Sequence, residues 1–247
     1  MFFKRLFSVI SLSLLGLTVW ADDYANLRAS VARLDANLQV MSVSETPMSS
    51  IYKVVISTGE TLYMSTDGQH FLVGNMYQNL QGGELVNLTE VDKQQDRALG
   101  MQSEAAQQAW VFKAVGETKA SISVFTDVDC FYCQKLHQEM DALNALGIEV
   151  RYLAFPRAGL GSSSHQVLAD AWCAEDPNAF LTKAKQRAHD RLSALPSPAA
   201  CDNPVADHYA LSQQMGLTGT PAIILASGEL WPGYLPADEL ARRLGIN

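Results

Sequence analysis

Ser121-Ile122-Ser123-Val124-Phe125-Thr126-Asp127-Val128-Asp129-Cys130-Phe131-Tyr132-Cys133-Gln134-Lys135-Leu136-His137 decides how the chain is read. Ser121 to Thr126 is rich in β-branched and aromatic residues and short enough to be a buried strand. Beyond Cys133, Leu136, Met140 and Leu143 recur at helical spacing. A Cys-x-x-Cys between strand and helix puts Cys130 at the helix N-terminus, where unpaired backbone N–H groups and the helix dipole favour thiolate over thiol. Cys130 then reads as a nucleophile and Cys133, one turn further in, as the resolving thiol. Thiol–disulfide exchange needs both, one sulfur to attack and one to release a mixed disulfide that persists. Two plainer explanations fare worse. Half a zinc site would need a second Cys-x-x-Cys or a His pair at ligand spacing, and the sequence has neither. A purely structural disulfide closing so short a loop would add little stability.

The 247 residues can bury a substantial core in one or two domains, and a net charge of −8 with no basic run argues against nucleic-acid binding. No metal or cofactor motif is present. Met1-Phe2-Phe3-Lys4-Arg5 is a short basic start, Leu6 to Val19 is apolar, and Val19-Trp20-Ala21 precedes Asp22-Asp23. This pattern predicts a cleavable secretory signal over residues 1–21, cut after Ala21. An exported chain with four cysteines is expected to pair them. If Cys130 pairs with Cys133, Cys173 and Cys201 remain for each other, a staple of roughly 3–4 kcal/mol on the chain-entropy model.

Outward from the centre, residues 22–89 read as a small α+β domain. Leu27, Val31, Leu34 and Leu38 mark an amphipathic helix, and strand-like runs follow at Ile51 to Ser57, Thr61 to Ser65, His70 to Val73 and Leu85 to Leu88. Asp67-Gly68 is a hairpin signal. So small a sheet is thin for independent stability, and an edge strand could be covered by a second copy. Glu90 to Gln108 is polar throughout and is expected to be a solvated linker helix over residues 90–108. From residue 109 strands and helices alternate: a helix over Phe131 to Ala145, a strand over Ile148 to Phe155, helices near Ser164 to Ala174, Asn178 to Ala194 and Val205 to Met215, then a hairpin and a closing helix. A β–α–β unit followed by a hairpin and a helix is the thioredoxin order, here with helices inserted between the halves. Asp127 and Asp129 are expected to face solvent as helix-entry acids. His137 is expected at the surface, and His70, His165, His189 and His208 form no ligand spacing.

Several motifs in one order resemble the periplasmic disulfide isomerases of the DsbC/DsbG family: the Cys130–Cys133 pair after Phe125-Thr126-Asp127, Arg151-Tyr152-Leu153-Ala154-Phe155-Pro156-Arg157, Ala206-Asp207-His208-Tyr209-Ala210, Gly219-Thr220-Pro221-Ala222 and Gly74-Asn75-Met76-Tyr77. Trp172-Cys173 and Cys201 match as well. The resemblance implies a V-shaped homodimer joined through N-terminal dimerisation domains, with two thioredoxin-like catalytic domains (residues 109–247) facing an apolar cleft. It implies misoxidised or unfolded exported proteins as substrates, a chaperone role, and a DsbD-like membrane-bound thiol reductase as electron donor. Thr220-Pro221 would be the cis-proline against the active-site cysteines, with Phe131 and Tyr132 as supporting residues. Phe131 departs from the family pattern, where glycine is expected, and adds apolar surface. Thioredoxins carry a buried carboxylate six residues before the first cysteine; Val124 stands there and speaks against a strongly reducing role. A DsbA-like oxidant and a holdase chaperone with secondary redox activity are the alternatives.

Overall fold

Leu27 and Val31, one helical turn apart on α1 (Ala25–Leu34), close over a sheet whose inward residues are Val54, Ile56, Leu62 and Met64. The computed structural model describes residues 24–193 and 195–246, so the expected signal segment lies outside the described residues. The sheet is an antiparallel meander of β1 (Val40–Glu45), β2 (Ile51–Ile56), β3 (Thr61–Ser65) and β4 (Phe71–Val73). β1 has no counterpart among the expected strands. Its register shifts between Val40 and Ser42, and such a bulge breaks the period-two alternation that marks a strand in sequence. At the β3–β4 turn Gly68 has φ +68°, and an added Cβ would stand 3.1 Å from the Asn26 carbonyl oxygen. Only glycine serves both needs. β4 is exposed along its length, as is β5 (Tyr77–Asn79), which pairs in a separate hairpin with β6 (Leu85–Asn87), where Leu85 is exposed and Val86 and Asn87 are half-buried.

The polar segment that follows is not one solvated helix. It forms α2 (Leu88–Gly100) and a short α3 (Glu104–Gln107). The Asn87 side chain accepts from the Glu90 N–H and caps α2. α2 docks on the C-terminal half: Arg97, 2% exposed, donates from Nε to the Gly228 carbonyl at 2.7 Å, and its guanidinium also pairs with Glu90. The contact is close enough that a Cβ on Gly228 would fall 1.9 Å from the Gln94 carbonyl oxygen. A buried arginine satisfied by a carbonyl and a carboxylate carries no apolar signature, which is why composition alone reads this helix as solvated.

Beyond α3 come β7 (Trp110–Phe112), β8 (Ala120–Thr126), α4 (Phe131–Gln138), α5 (Met140–Ala145), β9 (Ile148–Ala154), α6 (Ser163–Cys173), α7 (Pro177–His189), α8 (Val205–Gln214), β10 (Ala222–Ile224), β11 (Leu230–Pro232) and α9 (Ala237–Arg243). The five strands form one sheet in the order β11-β10-β8-β9-β7, with β8 and β9 parallel and the other pairs antiparallel. This is a thioredoxin-like α/β sheet with α6, α7 and α8 inserted between its halves. The helix expected over residues 131–145 is divided at Glu139, whose carboxylate is recruited elsewhere. It accepts from the Ala237 N–H at 2.7 Å, holding the start of α9, and from the Tyr234 hydroxyl. Ile122, Val124, Leu136, Leu143, Val150 and Tyr152 are at the centre of the core beneath α4.

Candidate active site

Sheet register assembles the site. β10 pairs with the end of β8, Ala222 opposite Phe125 and Ile223 opposite Val124. The loop before β10 therefore lies beside the loop after β8, and Thr220-Pro221, joined by a cis peptide bond, reaches Cys130. The Cys130 sulfur lies 3.2 Å from the Thr220 carbonyl oxygen.

Cys130 is the N-cap of α4. Its sulfur accepts from the Cys133 N–H at 3.4 Å, the place a serine or aspartate oxygen usually takes. The Cys133 thiol directed at that sulfur, the Thr220 side chain, the Cys133 N–H and the Arg157 charge together lower the Cys130 pKa to about 5 against the opposing effect of burial. The Thr220 hydroxyl is buried and has no other partner among the described residues, so it is available to the ionised sulfur. Cys133, fully buried, is shifted the opposite way, upward, by burial first and by its hydrogen bond to Cys130. Both cysteines are present as thiols, and a disulfide instead joins Cys173 at the end of α6 to Cys201 before α8.

Phe131 and Tyr132 stand out at the helix start, 58% and 55% exposed. Phe131 stacks on His189 of α7 with ring centroids 5.9 Å apart, and Tyr132 stacks on Tyr234 at 6.3 Å. The start of α4 thus carries two aromatic pairs that form an exposed apolar rim above the buried thiols.

Two expectations fail here. Asp127 is buried, not solvent-facing: its carboxylate accepts from the Asp129 N–H at 3.0 Å and from the Arg157 N–H and Nε at 2.9 and 3.2 Å. It ties the Cys130 loop to the end of β9 and brings the Arg157 charge near the sulfur; Asp129 alone is exposed. His137 is also buried, because position 137 is four residues after Cys133 and shares its inward helical face. Its Nε2 pairs with the Thr182 hydroxyl at 3.0 Å and its ring packs on Phe112 and Tyr152. His208 is a satisfied core histidine: Nδ1 accepts from the Ala154 N–H at 3.1 Å while Nε2 donates to the Gln108 and Ala105 carbonyls. Among the described residues, no three His, Cys, Asp or Glu side chains cluster to hold a metal ion.

The histidines set a pH response. Burial, reinforced by Lys185, lowers the His137 pKa from 6.5 to about 3. The unfolded chain therefore binds a proton that the folded one refuses, so stability present above pH ~6.5 is lost as the pH falls toward 3. Between pH 7 and 4.5 this group should cost about 2–3 kcal/mol of unfolding free energy. Urea titrations at the two pH values measure the loss, and His137→Gln should remove that share of it. An unchanged pH dependence in the variant would show that His137 titrates normally.

A thioredoxin-like domain family model matches residues 107–245, and the model of the disulfide bond isomerase protein N-terminal domain matches residues 19–90. The thiol:disulfide interchange protein DsbC of Salmonella typhimurium is 40% identical over 220 residues, covering 89% of this chain and 86% of that protein. DsbC of Dickeya dadantii is 36% identical over 239 residues, covering 97% of this chain and 93% of that protein. Among solved structures, the thiol-disulfide exchange protein alpha-DsbA2 from Wolbachia pipientis superposes with a TM-score of 0.50 at 13% identity, covering 65% of this chain and 98% of that one, a likeness of fold alone. Matched in both segments, and aligned with these relatives over most of their length, the chain belongs to the DsbC family of thiol:disulfide interchange proteins.

Proposed function

We propose that this protein is a thiol:disulfide isomerase that rearranges wrong disulfides in exported proteins, with Cys130 as nucleophile and Cys133 as resolving thiol. The observation that carries this assignment is the Cys130 sulfur capping α4 with the Thr220 carbonyl against it and Cys133 one turn behind. Cys130 as thiolate attacks a sulfur of the substrate disulfide. A Cys130–substrate mixed disulfide forms, and the displaced substrate sulfur leaves as thiolate. That thiolate can attack a different substrate disulfide and, in the end, displace Cys130, which completes an isomerisation. If the mixed disulfide persists, Cys133 attacks Cys130 and frees the substrate in reduced form. Pro221 has no N–H, so no donor competes there for the sulfur, and the Thr220 carbonyl is left to pair with a substrate strand.

Initiating attack requires the dithiol form, so a DsbD-like membrane-bound reductase is the proposed electron donor. The proposed compartment is the periplasm, supported by the family and by the leader-like sequence of residues 1–21. The exposed apolar residues of β4, β5 and β6 support a homodimer through the N-terminal domains, and the aromatic rim of Phe131 and Tyr132 supports a chaperone role. Iodoacetamide alkylation of Cys130 against pH tests the nucleophile assignment. The rate should titrate well below the ordinary thiol value of ~8.5, with thiolate predominant at pH 7; a midpoint near ~8.5 would remove the basis for it.

A further inference from the structure

The rings at the start of α4 form one continuous band. His189, the last residue of α7, stacks on Phe131 with the two planes at 24°. Phe131 meets Tyr132 edge to face at 5.5 Å, and Tyr132 stacks at 19° on Tyr234, which lies between β11 and α9. Both ends are fastened, one by α7 and the other by the Tyr234 hydroxyl, which donates to Glu139. Phe131 and Tyr132, in the middle, keep more than half of their surface in solvent, beginning at the residue after Cys130. One end of the band already holds a cation: Lys135 Nζ lies 4.5 Å from the centre of the Tyr234 ring. The ring quadrupole that attracts it is also present on Phe131 and Tyr132, and no cation stands over either among the described residues. Exposed acids border the band, Asp190 next to His189 and Asp129 next to Cys130. Neither has an ion pair among the described residues. The Arg157 charge is felt at Asp129, but its guanidinium is engaged by Asp127. Apolar rings edged by unpaired negative charge suit a side chain with an apolar stem and a cationic head.

We propose, on the basis of the exchange chemistry assigned above, that Phe131 and Tyr132 form a specificity-determining subsite for an arginine side chain next to the substrate cysteine. The substrate sulfur has to come to Cys130, and consecutive Cα atoms are about 3.8 Å apart, so the neighbours of that cysteine arrive beside Phe131. A planar guanidinium can lie on a ring while its methylene stem covers the apolar rim, and its charge then faces Asp129, Asp190 and the Cys130 thiolate. Lys135 and Arg157, the two cations at the edges, are held at Tyr234 and Asp127 and leave this face to the substrate. The bond changes are those of the first exchange step. The Cys130–substrate bond forms, the substrate disulfide breaks with its electron pair leaving on the departing sulfur, and no oxidant or reductant is consumed. Arginine changes only how favourably the attacked cysteine is held, and so which of several cysteines is attacked first.

The test follows mixed-disulfide formation between full-length protein carrying Cys133→Ser and disulfide-linked dimers of a short peptide. The residues on both sides of the peptide cysteine are arginine, citrulline or phenylalanine; citrulline keeps the planar shape and removes the charge. Each second-order rate constant is divided by that of glutathione with the same dimer, which removes differences in leaving-thiol acidity. At high salt, where attraction to exposed charges is screened, the arginine rate should still exceed the citrulline rate by about two- to fivefold. Phe131→Leu keeps an apolar side chain without a ring, and should cut that ratio to about half or less. Equal arginine and citrulline rates, a phenylalanine rate above the arginine rate, or a ratio unmoved by Phe131→Leu overturns the proposal. A second measurement leaves the band intact. In the trapped Cys133→Ser adduct the arginine δ-methylene protons should shift upfield of the free peptide through the ring currents of Phe131 and Tyr132, and an unshifted signal also overturns it. Failure of the exchange assignment would look different: none of the peptides would form an adduct.

Discussion

Replacing Cys130 by serine should lower refolding of scrambled ribonuclease in a glutathione buffer by roughly a thousandfold or more relative to the unsubstituted enzyme, to the level of buffer alone. The size of the effect follows from where the sulfur is. A hydroxyl at the α4 cap would still accept the Cys133 N–H, so the helix start and the fold should survive. It would not ionise near neutral pH and could not form a disulfide. Cys133→Ser should behave differently. The first attack needs only Cys130, so this variant should form mixed disulfides and release them only when a substrate thiol attacks, and non-reducing gels should show trapped enzyme–substrate adducts. Isomerisation, which can end through the substrate's own thiol, should fall less in Cys133→Ser than insulin reduction does. The double variant separates chemistry from chaperoning: suppression of aggregation of a denatured protein should persist, because Phe131, Tyr132 and the rest of the apolar rim remain. Isomerase activity in Cys130→Ser above about a tenth of the original would take the nucleophile role away from Cys130.

The thioredoxin-like half was legible because its elements announce themselves locally. Ile122, Val124 and Phe125 on one strand and Ile148, Val150, Tyr152 and Leu153 on the other mark the buried positions, and the two strands pair in parallel over seven positions. Glycine and proline mark several of the ends. β7 was not legible, being three residues long and recognisable only by its pairing with β9. The motif cysteines could be picked out because their chemistry requires a fixed spacing. The groups that tune them could not be read the same way. Asp127 looks like a solvent-facing acid until Arg157, thirty residues away, is brought against it by β9. Lys185 is coupled to Thr126 across 59 residues and three intervening helices, and no local pattern encodes that distance. Some of it was available all the same. His137 is four residues from Cys133 on a helix, and Lys185 interrupts the stripe of Leu181, Ala184 and Ala188. A polar residue on an inward helical face is a signal that it has found a buried partner.

A chain beginning at Asn87 should be a folded monomer that keeps dithiol chemistry and loses most isomerase activity. The cut follows the packing: Asn87 caps α2, and Arg97 anchors α2 to Gly228, so the linker helix belongs with the thioredoxin-like sheet for stability. What is removed is a domain whose core rests on α1 and three strands, and which leaves Leu72, Val73, Tyr77 and Leu85 all more than half exposed along β4 and the β5–β6 hairpin. An edge strand so apolar is a pairing surface, and covering it with a second copy is the economical solution. Two copies would set two Cys130 sites against one substrate, so that a chain released from one sulfur stays near the other. Losing that tethering should reduce scrambled-ribonuclease refolding by at least about tenfold, since effective concentration and not chemistry is what disappears. Insulin reduction, which needs one Cys130 and one Cys133, should stay within about twofold. The same truncation should expose the thiols to a DsbA-like oxidising partner, so the isolated catalytic portion should accumulate as Cys130–Cys133 disulfide where the whole protein stays reduced. Sedimentation of the full chain and refolding assays on both forms decide the matter. A full-length protein that sediments as a monomer, or a truncated one that isomerises as well as the whole, would show that a single Cys130 site suffices, and the oxidant assignment would then gain.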